Sequence, residues 1–212
     1  EIAEHHPDAA TRKAAKLRED LLTPLAKAWS TDAAVEAANT GVQIHGGMGF
    51  MAETAAAQLY LDARILPIYE GTNGIQAADL VTRKLGMENG GVLLALMAEI
   101  GRDAQDEPEL AALARDCAGV AEWMISRASL DDRLAGSVPF LTMCAVATAG
   151  WQLLRQARAA AAGQAPATIA RTKPVIASYF LHHLVPEAAG LKAAATGGAE
   201  LLYILDAELL TG

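Results

Sequence analysis

Alanine and leucine dominate the apolar residues of this chain, and β-branched and aromatic residues seldom gather into the short runs that strands need. Aromatic residues make up only 5% of the 212 residues, although 52% of the chain is hydrophobic. Side chains of this kind lose little rotamer freedom in a helix, so the composition predicts an all-α protein, a helical bundle. The length suffices for one sizeable core or two smaller ones that share a face.

Punctuation along the chain sets the expected helices. Asp8 is a candidate N-cap for a helix running to about Leu22, and Thr23-Pro24 can start a second. Along the second, Val35, Ala38, Val42 and His45 form an apolar stripe, while Glu36, Asn39, Gln43 and Gly46 or Gly47 line a polar one. It ends in His45-Gly46-Gly47-Met48-Gly49, more glycine than a helix C-cap requires. A third helix over about Glu53 to Leu66 stops at Pro67. Thr72 or Asn73 can cap a fourth, and Asn73 with Gln76 has capping-box spacing. Beyond a glycine-containing joint from Gly86 to Gly91, helices are expected over about Val92 to Ala104, Pro108 to Leu134, Pro139 to Ala162 and Ala167 to Ala189. Pro174 should kink or restart the last of these, and a short helix should follow Gly197-Gly198. Phe140, Cys144, Ala147, Trp151 and Leu154 read as one core stripe, and Ile176, Phe180 and Leu184 as another. The joint divides the chain into residues 1–86 and residues 87–212.

Charge and cysteine usage exclude several classes. A net charge of −8 disfavours nucleic-acid binding, which relies on clustered Lys and Arg. Cys117 and Cys144 match no metal or redox spacing and read as buried thiols in a reducing cytoplasm. The pairs His5-His6 and His182-His183 cannot share one helix face as metal ligands, so no metal site is expected. Charged residues break up most of the long apolar runs, and no membrane span and no signal peptide are expected. The chain opens on Glu1 and reads as mid-sequence material, the C-terminal piece of a longer polypeptide.

Three motifs carry chemistry: Gln43-x-x-Gly46-Gly47-x-Gly49, Tyr60-Leu61-Asp62-Ala63-Arg64-Ile65, and Tyr69-Glu70-Gly71-Thr72-Asn73-Gly74-Ile75-Gln76. Asp62 and Arg64 read as structural, holding the third helix through side-chain pairs. In order and spacing the trio resembles the acyl-CoA dehydrogenase family, firmly over about Asp20 to Leu85. Ala37-Ala38-Asn39 and the chain end resemble the 3-methylmercaptopropionyl-CoA dehydrogenase-like members, which carry a C-terminal helical extension. His45, Met48 and Gly74 depart from the commonest family pattern.

The resemblance implies α,β-dehydrogenation of an acyl-CoA thioester, with Glu70 as the base that removes the α-proton while a hydride leaves Cβ for FAD. Such a base is expected to be partly desolvated beside amide donors. The backbone N–H of Glu70 would hold the thioester carbonyl as an oxyanion hole does, helped by a flavin hydroxyl. Gly71 would admit the substrate closely, and Tyr69 would line the acyl cavity. Thr72, Asn73 and Gly74 would contact the flavin, and the segment Gln43, Ile44, His45, Gly46 and Gly47 would hold the dinucleotide portion of an FAD bound mainly to a neighbouring subunit. The implied partners are the acyl-CoA substrate, an electron-transfer flavoprotein and further copies in a homodimer or larger assembly. The isolated segment is expected to retain no FAD and no activity. Two other readings stand beside this one: a helical oligomerisation module, and an acyl-CoA oxidase that passes electrons to oxygen.

Overall fold

The computed structural model describes residues 1–206 and 208–209, and the described residues contain helices and turns but no strand. A single turn of helix, α1 (Ile2–His5), precedes α2 (Ala9–Ile44). Asp8 caps α2, its carboxylate accepting from the Thr11 amide at 2.8 Å and the Thr11 hydroxyl at 2.6 Å. Those bonds, the hydroxyl one foremost, lower the Asp8 pKa.

The break expected at Thr23-Pro24 does not occur. α2 runs through Pro24 as one 36-residue helix, about 54 Å long at 1.5 Å per residue. A proline inside a helix costs about 3 kcal/mol. Leu21, Pro24, Leu25 and Ala28 are buried together, and each fully buried leucine returns about 1.5–3 kcal/mol. Burial therefore outweighs the missing amide donor. The Thr23 hydroxyl also donates to the Glu19 carbonyl at 2.8 Å.

After α2 come α3 (Gly47–Phe50), a 3-10 turn (Ala52–Thr54), α4 (Ala56–Arg64) and α5 (Asn73–Asp79), which passes into a π turn (Leu80–Lys84). The expected third helix is thus shorter than its apolar pattern. Ala55 adopts φ +61 and sets the start of α4, while Pro67 lies buried beyond its end. Gly49 must be glycine, since a Cβ there would meet the Val42 carbonyl oxygen at 2.2 Å.

The second half comprises α6 (Gly91–Asp103), α7 (Pro108–Ser126), α8 (Leu130–Ala135), α9 (Ser137–Ala161) and α10 (Ala167–Tyr179). A π turn (Phe180–Leu184) leads to α11 (Val185–Ala189), α12 (Lys192–Ala195) and a 3-10 turn (Glu200–Tyr203). The single helix expected from Pro108 to Leu134 is two, because Ser129 and Asp132 form a reciprocal capping box that starts α8. α10 continues through Pro174, and the irregularity falls at Phe180–Leu184 instead.

α9 lies at the centre. Phe140, Cys144, Ala147, Trp151 and Leu154 are all buried, as the spacing predicts. The Trp151 indole donates to Asp103 Oδ2 at 2.8 Å, and the guanidinium carbons of Arg155 and Arg18 lie 4.9 and 5.5 Å from its ring centre. By length and composition α9 could cross a membrane, but here its apolar face forms the core. Cys117 and Cys144 are both fully buried free thiols; burial, with Cys117 alongside, pushes the Cys144 thiol well above its ordinary pKa.

The expected stripe of Ile176, Phe180 and Leu184 is displaced. Phe180 is buried and meets the Trp29 ring edge-on at 5.8 Å, but Ile176 is exposed and Leu184 half-buried. Ala177, Phe180, Leu181, Val185 and Ala188 form the buried face. Leu21, Leu25 and Leu80 from before Gly86 share one core with Leu93, Phe140 and Trp151 from after it.

Candidate active site

The segment between α4 and α5 is a strained, braced loop. Pro67 is buried, and its carbonyl accepts from the Asn73 amide at 3.0 Å, closing the loop at its base. At its tip Glu70 and Gly71 take φ +52 and φ +85. Glycine adopts such a backbone freely, whereas for glutamate it costs about 1–2 kcal/mol. Thr72 caps α5, its hydroxyl accepting from the Ile75 amide at 3.3 Å. The capping box expected of Asn73 and Gln76 is absent, because the Gln76 amide reaches the Glu70 carbonyl at 3.4 Å instead.

The Asn73 side chain is the brace. Its amide nitrogen donates to the Ala28 carbonyl at 2.9 Å, Thr31 Oγ1 at 2.9 Å and Asp32 Oδ1 at 2.7 Å, all on α2. Its oxygen accepts from Lys27 Nζ at 2.8 Å. The same ammonium donates to the Gly71 carbonyl at 2.9 Å and stands 5.9 Å from the centre of the Tyr69 ring. Lys27, Thr31 and Asp32 escape a motif search, since each alone is an ordinary helix residue. Their signal is the polar pair Lys27 and Thr31, one turn apart beside the buried Leu25 and Ala28. Replacing Lys27 by Met should loosen the loop by about 1–2 kcal/mol, the worth of a charge-assisted bond discounted for partial exposure. Hydrogen exchange should quicken at the hydrogen-bonded amides of Asn73 and Ile75 while helix content holds. Unchanged exchange there would mean that the Pro67 closure alone sets the loop.

The Glu70 carboxylate is exposed, not partly desolvated as expected. Within these residues nothing from the chain covers the loop tip, and Tyr69 beside it is 47% exposed. A shallow cleft of about 480 Å³ lies between α2 and the loop, walled by Val35, Arg64, Ile68, Thr72 and Gly74 among others, but Glu70 does not line it. Among the described residues the backbone N–H groups of Glu70, Gly71, Thr72 and Gly74 have no hydrogen-bond acceptor. An acidic side chain therefore stands beside a run of available amide donors, its own included.

The other candidate residues sit at the far end of α2. Gln43 lies eleven residues beyond Asp32, about 16 Å along the helix axis from the Asn73 brace. Gln43, Ile44, His45, Gly46 and Gly47 are all exposed, and the His45 ring nitrogen bonds the Gly41 carbonyl at 2.8 Å. Gly46 needs its freedom at φ +59, but a Cβ on Gly47 would meet nothing within 4 Å. At Gly74 a Cβ would meet only the Thr72 hydroxyl, at 3.9 Å. The fold therefore uses the missing side chain at neither position, and both leave backbone open to a ligand. Asp62 accepts from Gln58 at 2.7 Å; Arg64 makes no ion pair among the described residues. No three His, Cys, Asp or Glu side chains converge as metal ligands among the described residues.

Residues 5–85 match the family model for the acyl-CoA dehydrogenase C-terminal domain, and residues 96–206 match the acetyl-CoA dehydrogenase C-terminal-like model. The chain belongs to the acyl-CoA dehydrogenase family. It is 44% identical over 176 residues to 3-methylmercaptopropionyl-CoA dehydrogenase of Ruegeria pomeroyi, covering 76% of this chain and 30% of that protein. It is 30% identical over 191 residues to a broad-specificity linear acyl-CoA dehydrogenase of Mycobacterium tuberculosis, covering 79% of this chain and 31% of that one. A butyryl-CoA dehydrogenase of Syntrophomonas wolfei is 40% identical over 97 residues, 44% of this chain and 16% of the relative. The chain thus spans about a third or less of the length of these relatives.

Proposed function

We propose that this chain is the C-terminal part of an FAD-dependent acyl-CoA dehydrogenase that oxidises the α,β bond of an acyl-CoA thioester, with Glu70 as the base. The observation that carries this reading is the Glu70 carboxylate beside its own unpartnered backbone N–H at the strained loop tip. An α-proton becomes acidic when the thioester carbonyl is polarised, so a donor for that oxygen and an acceptor for the proton belong side by side. The Glu70 amide donates to the carbonyl oxygen, and the Glu70 carboxylate takes the α-proton. Gly71, without a Cβ, lets the thioester approach, and Tyr69 flanks the acyl chain. The contacts of Lys27, on α2, with Gly71 and Asn73, and of Asn73 with α2, hold this geometry from behind.

The open backbone at Gly46, Gly47 and Gly74 fits a phosphate-bearing cofactor that must approach the main chain closely. Thr72, Asn73 and Gly74 would face the flavin, Thr72 and Gly74 with backbone N–H groups that have no acceptor among the described residues. Gln43, Ile44, His45, Gly46 and Gly47 would hold the dinucleotide portion of an FAD bound mainly to a neighbouring copy. When bound, FAD supplies the two-electron acceptor for the hydride that leaves Cβ, and an electron-transfer flavoprotein is the proposed next acceptor. Residues 1–86 complete the dehydrogenase helical domain and residues 87–212 extend it, in a homo-oligomeric cytoplasmic enzyme.

Anaerobic mixing of the full-length protein with acyl-CoA thioesters of graded chain length tests the proposal. One of them should bleach the flavin's visible absorbance and yield the enoyl-CoA, while the 212-residue chain alone mixed with FAD should yield neither. A full-length protein whose flavin keeps its colour with every thioester would remove the assignment.

A further inference from the structure

α2 is least self-supporting where it carries the brace. Pro24 has no N–H to give the Asp20 carbonyl, and the hydroxyls of Thr23, Ser30 and Thr31 donate back to the carbonyls of Glu19, Ala26 and Lys27. Prolines and such back-bonds both bend helices. The course of α2 between Thr23 and Asp32 is therefore set by what it packs on, and much of that comes from after Gly86. Leu21, Leu25 and Ala28 share the core with Phe140 and Trp151 of α9. At about 100° per residue, Lys27 and Thr31 fall on one flank of this buried stripe and Trp29 on the other. Trp29 lines one cleft with Ala145 and Ala149 of α9, and a second with Val146, Leu184 and Ala188. With space on both sides, the half-buried indole is fixed by its edge-on contact with the buried Phe180, at 5.8 Å. Phe180 itself opens the π turn that follows α10.

We infer that Trp29, seated on Phe180, is a positioning residue for the Glu70 base. The seat fixes the rotation of α2 about its own axis. Across the helix, that rotation sets where Lys27 and Thr31 stand. Lys27 Nζ holds the Gly71 carbonyl and the Asn73 side chain, and Thr31 Oγ1 accepts from Asn73, so a turn of α2 carries the loop tip with it. With side chains α2 has a radius of about 5–6 Å, and a rotation of about 10° moves its surface by about 1 Å. A misplacement of about 1 Å at the reacting atoms can cost about 10²-fold in rate. The inference rests on Glu70 as the base. It gives the helices after Gly86 a part in the reaction, exerted through α2, without contact with substrate or cofactor.

Trp29→Leu and Trp29→Phe in the full-length protein test it, the second keeping a ring for Phe180 to meet. Trp29→Leu should lower kcat per bound flavin about tenfold with KM little changed. Hydrogen exchange at the Asn73 and Ile75 amides should quicken about tenfold in the same protein. Trp29→Phe should bring both back to within about threefold of the parent, and Phe180→Leu, which leaves Trp29 in place, should reproduce the Trp29→Leu pattern. Counting kcat per bound flavin removes any loss of folded protein from the comparison. Unchanged kcat or unchanged exchange in either leucine variant, or equal losses in Trp29→Leu and Trp29→Phe, would overturn the inference. Glu70 would then keep its role as long as Glu70→Gln is inactive, whereas turnover retained in Glu70→Gln would overturn both.

Discussion

Replacing Glu70 by Gln in the full-length protein should lower kcat about 10²–10⁴-fold, the usual contribution of a positioned general base, with KM little changed. The substitution keeps the shape of the side chain and the backbone amide and removes only the proton acceptor. The Glu70 side chain is exposed and makes no hydrogen bond among the described residues, so stability should hold within about 0.5 kcal/mol. The flavin spectrum of the resting protein should likewise be retained. Steady-state turnover with the best acyl-CoA, measured beside the flavin spectrum, checks this. Near-normal kcat would refute the assignment of Glu70, whereas lost flavin would point to a structural role.

Truncating Phe140 to Ala should destabilise the fold by about 3–5 kcal/mol. Phe140 is 0% exposed on the central helix α9. It belongs to the core that joins residues from both sides of Gly86, so the cavity cannot be filled by local rearrangement of one half. A domain of ordinary stability has only about 5–15 kcal/mol to lose, so such a change is large. The midpoint of urea unfolding should fall with its slope unchanged. A loss below about 1 kcal/mol would mean that the core around α9 relaxes freely.

Much of the helical architecture follows from composition and punctuation. The stripe from Phe140 to Leu154 is buried as its spacing predicts, and Asp8 and Thr72 cap the helices they precede. Local signals fail where tertiary burial decides. Pro24 and Pro174 read as breaks, yet α2 and α10 continue through both; around Pro24 the flanking Leu21, Leu25 and Ala28 are held by packing. The break at Ser129 was written in the sequence as Ser-x-x-Asp and is missed only when apolar period is read alone. The buried face passes from Ala177 through Phe180 and Leu181 to Val185 across the π turn, in place of Ile176 and Leu184, and its Phe180 meets Trp29, a partner about 150 residues away in sequence. At the site, the motif residues of the loop were legible but their brace was not. Lys27 and Asn73 meet only through folding, across 46 positions. The exposure of Glu70 was also beyond local reading, since desolvation depends on whatever lies over the loop.

The most direct measurement is the position of the Glu70 carboxylate in a crystal structure of the full-length protein with FAD and a non-reactive acyl-CoA analogue. A base for this reaction should lie about 3–3.5 Å from the α-carbon, its own amide bonded to the thioester oxygen and water excluded around it. A carboxylate still in open solvent, with the analogue bound elsewhere, would contradict the role given to Glu70.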